Sequence, residues 1–342
     1  MGHSQTPLSP VVEAWATYRT RSADEWTARQ LVRGKGDTTV SVVLPARDEA
    51  ATIGAIVTTI REHLMERLPL VDELIVVDSR SSDGTAEVAA AAGARVVSQE
   101  EMTRGLPRLD GKGDALWCGL LAASGDVVAF LDADLREFQP RFVTGLLGPL
   151  LTDPSVDFVK AFYHRPLAQT GMVDAEGGGR VTELVARPLL NLFWPELAGF
   201  VQPLAGEYAG RRALLDQLPF VSGYGVETAM LIDVFEKVGL DALAQVDLGE
   251  RLHRHQSIEA LGRMAAQIIL TAWSRLYRNG WVTTETPPAS FLTQFRRGTN
   301  NLLPGLEREV VVTDISVAER PPAGPLREVM RGRYNSRAAV WA

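Results

Sequence analysis

Residues 125–135 read Gly125-Asp126-Val127-Val128-Ala129-Phe130-Leu131-Asp132-Ala133-Asp134-Leu135. Five apolar residues, Val127 to Leu131, run without a polar break, and two carboxylates follow with one small residue between them. A short apolar run bounded by turn signals predicts a strand buried on both faces. Carboxylates at the carboxyl end of such a strand lie where open α/β sheets place their ligands. Hard oxygen donors there suit Mg2+ or Mn2+ better than zinc, with a diphosphate completing the shell. Alone, an Asp-x-Asp is also ordinary turn chemistry, so its reading depends on its surroundings.

Upstream, Thr39 to Leu44 is a β-branched run that ends at Pro45 and leads into Ala46-Arg47-Asp48-Glu49. From Ala50 to Leu64 apolar residues recur at helical spacing. The first βα turn of such folds is a usual nucleotide contact, so its polar residues are either ligand groups or a plain helix start. Val71 to Val77 predicts a second strand ending at Asp78-Ser79. Residues 81–85 cap an Ala-rich helix, Ala86 to Ala92, which Gly93 closes, and Arg95 to Ser98 predicts a third strand. This β-α-β-α-β order implies parallel strands with right-handed crossovers. No G-x-G-x-x-G follows the first strand, so the dinucleotide fingerprint is absent. Gly111-Lys112-Gly113-Asp114 precedes the helix Ala115 to Ala123; it lacks the spacing of a Walker A loop, yet a Lys between glycines can approach a phosphate or base closely.

Downstream, Phe142 to Leu151 predicts a helix and Val156 to Phe162 a strand. Gly177-Gly178-Gly179-Arg180 then opens an apolar helix from Val181 to Pro188 or beyond. Exposed backbone N–H groups at a helix start, with a bidentate Arg, point to an anionic ligand; the plainer reading is a surface loop with a solvated Arg. Residues 202–212 read as a compact Gly-rich turn before a helix. Residues 220–227 lead into the helix Thr228 to Val238, and Val246 to Gly249 is a short strand. His253 and His255 follow; at i, i+2 on a strand they point the same way. Ile258 to Tyr277 predicts a long amphipathic helix, a candidate for packing on the sheet or on a second subunit. Thr284 to Ser290 and Ala318 to Pro325 read as loops, residues 310–316 as one edge strand, and the tail from Arg327 carries no functional signal. Residues 11–33 predict a helical extension broken near Ser22 to Asp24.

The 342 residues are 46% hydrophobic and 23% charged, an ordinary soluble composition, with net charge −7. That charge argues against general nucleic-acid binding. Cys118 is the only cysteine, which excludes an intramolecular disulfide. No run approaches the ~20 apolar residues of a membrane span, and Met1 to Pro10 lacks the apolar core of a signal peptide. A cytoplasmic location is the expectation.

The order apolar strand-Pro-Ala-Arg-Asp-Glu, strand-Asp-Ser, Gly-Lys-Gly-Asp-Ala and Asp-Ala-Asp resembles nucleotide-sugar glycosyltransferases of the GT-A fold. More closely, the chain is similar to actinobacterial glucosyl-3-phosphoglycerate synthases and their mannosyl relatives. The resemblance covers roughly residues 38 to 275 and rests on residues 177–190, 202–209 (Gln-Pro-Leu-Ala-Gly-Glu-Tyr-Ala), 223–227 (Gly-Tyr-Gly-Val-Glu) and 253–255 (His-Arg-His). It implies an α/β fold with a mostly parallel, Rossmann-like sheet flanked by helices. Residues 1–37 would be the N-terminal extension and 38–255 the catalytic domain, with a nucleotide-sugar half (38–165) and an acceptor half (166–255). Residues 256–342 would form a C-terminal helical and irregular region.

It also implies a retaining transfer of glucose from UDP-glucose to the 2-hydroxyl of 3-phosphoglycerate, with Mg2+ or Mn2+ and a homodimer. By position, Pro45, Ala46, Arg47, Glu49, Ser79 and Lys112 would surround the donor nucleotide, and Asp132 and Asp134 its ribose, diphosphate and metal. His253 would share that metal with Asp134. Gly179, Arg180, Val181, Thr182, Tyr224 and His255 would meet the acceptor. The reacting centre would include Asp134, Glu227 and Leu204. Two positions depart from the family pattern: Arg47-Asp48 stands where that pattern has Leu-Asn, and His255 where it has Asn. The alternatives are a mannosyltransferase using GDP-mannose, or both donors, and, more distantly, a sugar nucleotidyltransferase.

Overall fold

The protein's structure, a computed structural model, describes residues 8–109, 111–164, 167–169, 172–174, 179–250, 257–296 and 308–327. Eight strands form the main sheet: β1 Thr20–Ser22, β2 Val40–Ala46, β3 Glu73–Asp78, β4 Arg95–Ser98, β5 Val127–Phe130, β6 Phe158–His164, β7 Tyr208–Arg211 and β8 Leu243–Glu250. Their spatial order is β1-β8-β6-β7-β5-β2-β3-β4. All neighbours run parallel except β7, which is antiparallel to β5 and β6. The longer helices are α1 Pro10–Arg19, α2 Ala28–Gly34, α3 Ala50–Ile60, α4 Thr85–Ala92, α5 Lys112–Ala122, α6 Pro140–Thr152, α7 Arg187–Phe193, α8 Val226–Val238 and α9 Ile258–Arg278.

The apolar strand runs explain the layers. Alternate residues of β2, β3 and β5 point to opposite faces, and both faces are covered. Val43, Ile75, Val77, Val128 and Phe130 pack with Trp117 of α5 and Met230 of α8. Val42, Leu44, Val76, Val127 and Ala129 pack with Ile53 of α3 and Leu146 of α6. The chain runs β2-β3-β4 outward in one direction and then returns to place β5 on the other side of β2. That reversal opens a crevice at the carboxyl ends of β2 and β5, where doubly wound sheets bind ligands.

Three elements differ from the sequence expectation. Tyr208–Arg211 is a strand, not part of a turn: its four residues include Gly and Ala and lack a β-branched run, so local preference is silent. Its place comes from tertiary pairing, with the Tyr208 ring 5.2 Å from Phe130 and 5.6 Å from Phe158. Within the N-terminal extension, Thr20–Ser22 adds a parallel edge strand beside β8, and Trp15 Nε1 donates to the Leu243 carbonyl at 2.8 Å. In the C-terminal region, Glu319–Arg320, within a stretch expected as a loop, pairs antiparallel with Phe220–Val221, while the strand expected at 310–316 forms as Glu309–Asp314 and pairs with Phe291–Arg296. No helix among the described residues is long and apolar enough to cross a membrane.

Candidate active site

β5 ends at Phe130, and Leu131 remains buried, so the chain turns out of the sheet at Asp132-Ala133-Asp134. Asp132 is half-buried and Asp134 exposed. α5 starts beside this edge, and Lys112, its first residue, pairs with Asp132. Lys112 Nζ also lies 3.1 Å from Glu227 Oε1, in the first turn of α8, and 3.5 Å from the Gly206 carbonyl. Burial alone would lower the lysine's pKa, but Asp132 and Glu227 outweigh it and hold the ammonium well above its ordinary value. Lys112, Asp132 and Glu227 are thus brought together from three separate segments.

Close backbone approach shapes this corner. A Cβ on Gly206 would fall 2.3 Å from Lys112 Nζ and 2.6 Å from Asp132 Oδ1. Gly111, at φ +103°, sits against Gly223, and a Cβ on Gly113 would strike the Val221 carbonyl. The Gly-Lys-Gly loop therefore packs directly on the turn 221–225 that leads to Glu227. Gln267 of α9 accepts from the Tyr224 N–H at 3.0 Å and fixes the other side of that turn. Tyr224 itself is exposed.

The first βα turn faces the same crevice. Pro45 and Ala46 end β2, Arg47 is exposed, and Glu49 precedes α3. Thr52 Oγ1 donates to the Ala133 carbonyl at 2.6 Å and so ties α3 to the Asp-Ala-Asp turn. Asp48, at φ +55°, accepts from the Ser82 N–H at 2.8 Å, and Ser79 N–H donates to Ala46 O at 2.8 Å. These bonds align the carboxyl ends of β2 and β3. On the opposite side, Gly179 takes a positive φ of +78° and its carbonyl accepts from Glu183 N–H. Arg180 is half-buried; Val181 and Thr182 are buried. Val181 and Leu204 pack in one cluster with Met264 of α9. His253 and His255 lie outside the described residues.

Lys160 of β6 was not singled out from the sequence. It is fully buried, donates to the Ala205 carbonyl at 2.8 Å and stands 5.0 Å over the Tyr208 ring. Burial lowers its pKa to about 8, opposed by the nearby Glu227 carboxylate. Glu207, also buried, accepts from the Tyr163 hydroxyl at 3.3 Å. Tyr208 is pushed up by burial and by the neighbouring Glu227 carboxylate. A charged residue inside an otherwise apolar strand, as in Phe158-Val159-Lys160-Ala161, was the available signal for Lys160.

The donor set fits a hard divalent cation. Asp132 and Asp134 supply oxygens at the carboxyl end of β5. β8 runs the same way as β5, since β6 and β5 are both antiparallel to β7 and β8 is parallel to β6. β8 therefore ends, at Glu250, on the side of the sheet where β5 ends and Asp132 and Asp134 follow. Among the described residues no three His, Cys, Asp or Glu side chains gather into a ready-made cage. One or two carboxylates completed by ligand phosphates is the usual way Mg2+ is held.

Residues 41–201 match the glycosyl transferase family 2 model. The chain is 47% identical over 313 residues to glucosyl-3-phosphoglycerate synthase of Mycolicibacterium smegmatis, covering 92% of this chain and 98% of that one. It is 53% identical over 253 residues to glucosyl-3-phosphoglycerate synthase of Mycobacterium tuberculosis, covering 73% and 77%. Among solved structures, mannosyl-3-phosphoglycerate synthase from Rubrobacter xylanophilus matches with TM-score 0.84 at 42% identity, over 93% of this chain and 99% of the other. Glucosyl-3-phosphoglycerate synthase from M. tuberculosis, in complex with Mn2+, UDP and phosphoglyceric acid, matches with TM-score 0.75 at 45% identity, over 88% and 95%. The chain belongs to the glucosyl-3-phosphoglycerate synthase family of glycosyltransferases.

Proposed function

We propose that this enzyme transfers glucose from UDP-glucose to the 2-hydroxyl of 3-phosphoglycerate, giving glucosyl-3-phosphoglycerate and UDP. The observation that carries this reading is near-full-length identity of 47% to a glucosyl-3-phosphoglycerate synthase. The Lys112–Asp132–Glu227 corner at the switch point supplies the matching chemistry. The donor lies along the carboxyl ends of β2, β3 and β5, with Pro45, Ala46, Arg47, Glu49 and Ser79 around the base. Lys112 and Asp132 meet the rest of the nucleotide. Asp134 and His253 would hold Mg2+ or Mn2+, which would supply charge neutralisation on the departing diphosphate.

Gly179, Arg180, Val181 and Thr182 receive the acceptor's anionic groups, and Tyr224 and His255 are assigned to the same acceptor. Arg180 presents a planar fork suited to phosphate or carboxylate. Glu227 accepts from sugar hydroxyls, and Leu204 shapes the wall between donor and acceptor. In the reaction the bond from the anomeric carbon to the β-phosphate oxygen breaks, and a bond to the glycerate 2-oxygen forms on the same face. The hydroxyl proton passes to the departing diphosphate. Lys112 keeps its positive charge throughout. Trapping glucose covalently on Glu227 would exclude this route.

A second reading, with GDP-mannose as an additional donor, is favoured by the TM-score of 0.84 to a mannosyl-3-phosphoglycerate synthase. A donor screen separates the two: each nucleotide sugar is supplied with and without 3-phosphoglycerate, and UDP or GDP release is read. The first reading predicts acceptor-dependent release of UDP from UDP-glucose. A nucleotidyltransferase would release neither UDP nor GDP in this screen and would form pyrophosphate only from a nucleoside triphosphate and a sugar 1-phosphate. A homodimer through α9 and a cytoplasmic location complete the proposal; the exposed Ile269 and Tyr277 of α9 support the first.

A further inference from the structure

A short C-terminal segment, residues 318–321, reaches back across the molecule to both segments that meet at Lys112 and Glu227. Arg320 is buried, and its Nε donates to Asp114 Oδ1 at 2.5 Å, two residues beyond Lys112. The same guanidinium donates to the Pro107 carbonyl at 2.9 Å and lies 5.3 Å over the Trp117 ring. Asp114 is held from the other side by Gln99 Nε2 at 2.6 Å. Trp117 Nε1 donates to the Pro321 carbonyl at 2.8 Å. One side of the segment is therefore fastened to the Lys112 loop and to the first turns of α5.

Its other side is fastened to the turn before Glu227. Glu319–Arg320 forms an antiparallel pair with Phe220–Val221. Ser222 N–H donates to the Ala318 carbonyl at 2.7 Å, and Ala318 N–H donates to Ser222 Oγ at 3.0 Å. Glu319 pairs with Arg275 of α9, which is itself bound to Asp233 of α8 at 2.7 Å. The two fastened segments meet each other by close glycine approaches, Gly111 on Gly223 and Gly113 on Val221, and by the Lys112–Glu227 ion pair. The glycine approaches set the distance between the segments, and the strap binds both of them from outside that contact.

We propose that residues 318–321 act as a strap whose Arg320 is a positioning residue: through Asp114 and Pro107 it sets the placement of Lys112 relative to Glu227, and so the affinity for the nucleotide diphosphate. The ion pair is costly to bury, and breaking one side of it leaves the other charge unpaired, so the loop has one strongly preferred register. The role in nucleotide binding rests on the function proposed above; the mechanical coupling does not.

The test uses the full-length protein and compares wild type, Arg320→Met and a control, Arg211→Met. Arg211 binds the Val156 and Leu150 carbonyls beside Val127, at the end of β5 away from Asp132. Two readouts are taken: amide hydrogen exchange, and UDP affinity by calorimetry with Mg2+ present. Arg320→Met is expected to speed exchange together at residues 111–114 and 223–227 and to weaken UDP binding about tenfold or more. The KM for 3-phosphoglycerate should change less than the KM for the donor. Arg211→Met should leave both loops and UDP affinity unchanged. If Arg320→Met does not fold, Trp117→Phe removes the bond to Pro321 and should give the same pattern with a smaller change. Unchanged exchange at both loops in the folded variant overturns the strap. Coupled exchange with wild-type UDP affinity overturns its role in binding. Absence of turnover in wild type would strike the proposed function and leave the exchange result standing.

Discussion

Lys112 Nζ stands 3.1 Å from Glu227 Oε1 while also pairing with Asp132, so one ammonium joins the end of β5 to the start of α8. Without it, two partly buried carboxylates lose the ammonium that stands between them. Lys112→Met is expected to lower kcat/KM by about 10²–10³, the usual loss for a charged group that stabilises a developing anion. Steady-state rates on a variant with a native circular dichroism spectrum measure this. Near-wild-type kcat/KM would contradict the role.

Gly206 sets how far that lysine can descend. Gly206→Ala places a methyl 2.3 Å from Lys112 Nζ and 2.6 Å from an Asp132 oxygen. Overpacking of this kind costs about 1–3 kcal/mol, and here it falls on the ion pair itself. Activity should drop at least tenfold while the thermal midpoint moves only a few degrees. A large midpoint shift with unchanged kcat would place the glycine's role in folding alone.

The hydrogen bond from Thr52 Oγ1 to Ala133 O, at 2.6 Å, is buried and joins α3 to the metal-side turn. Thr52→Val keeps the shape and removes the donor, leaving a carbonyl unsatisfied at about 1–3 kcal/mol. Urea denaturation should show that loss, and the donor KM should rise severalfold. Full stability in the variant would mean that the Ala133 carbonyl finds another partner.

Lys160 gives a pH signature. Burial brings its pKa from 10.5 down to about 8. Below pH 8 both folded and unfolded states hold the proton, and the cost of burying the charge is fully present. Between about 8 and 10.5 the unfolded state binds more protons, so this group's contribution to stability rises with pH. Lys160→Met lacks that titration. The variant's stability relative to wild type should therefore fall by about 3 kcal/mol between roughly pH 7 and pH 11. A difference that does not change with pH would show that Lys160 is neutral or solvated throughout.

The strands that define the switch point were legible because they are buried on both faces and end in apolar runs: Val42 to Leu44, Leu74 to Val77 and Val127 to Leu131. The Asp-Ala-Asp turn and the Gly-Lys-Gly loop were legible because chemistry at strand ends and helix starts has few alternatives. β7 was not, because Tyr208–Arg211 acquires its strand conformation from two flanking partners rather than from its own residues. Lys160 and Gly206 were missed for a related reason. Their importance lies in what stands within a few ångströms, and those neighbours come from segments dozens of residues away. The strap at 318–321 is the extreme case, a loop by composition whose Arg320 finds Asp114 across 206 residues.

The proposed reaction is a single glucosyl transfer to one oxygen of the acceptor. UDP-glucose labelled with 13C at the anomeric carbon is incubated with 3-phosphoglycerate, Mg2+ and the enzyme, and the product is read by NMR. The account predicts one labelled glucosyl group on the 2-oxygen of 3-phosphoglycerate per UDP formed, with the anomeric configuration of the donor. A product of inverted configuration, glucose on any other oxygen, or no acceptor-dependent product would contradict it.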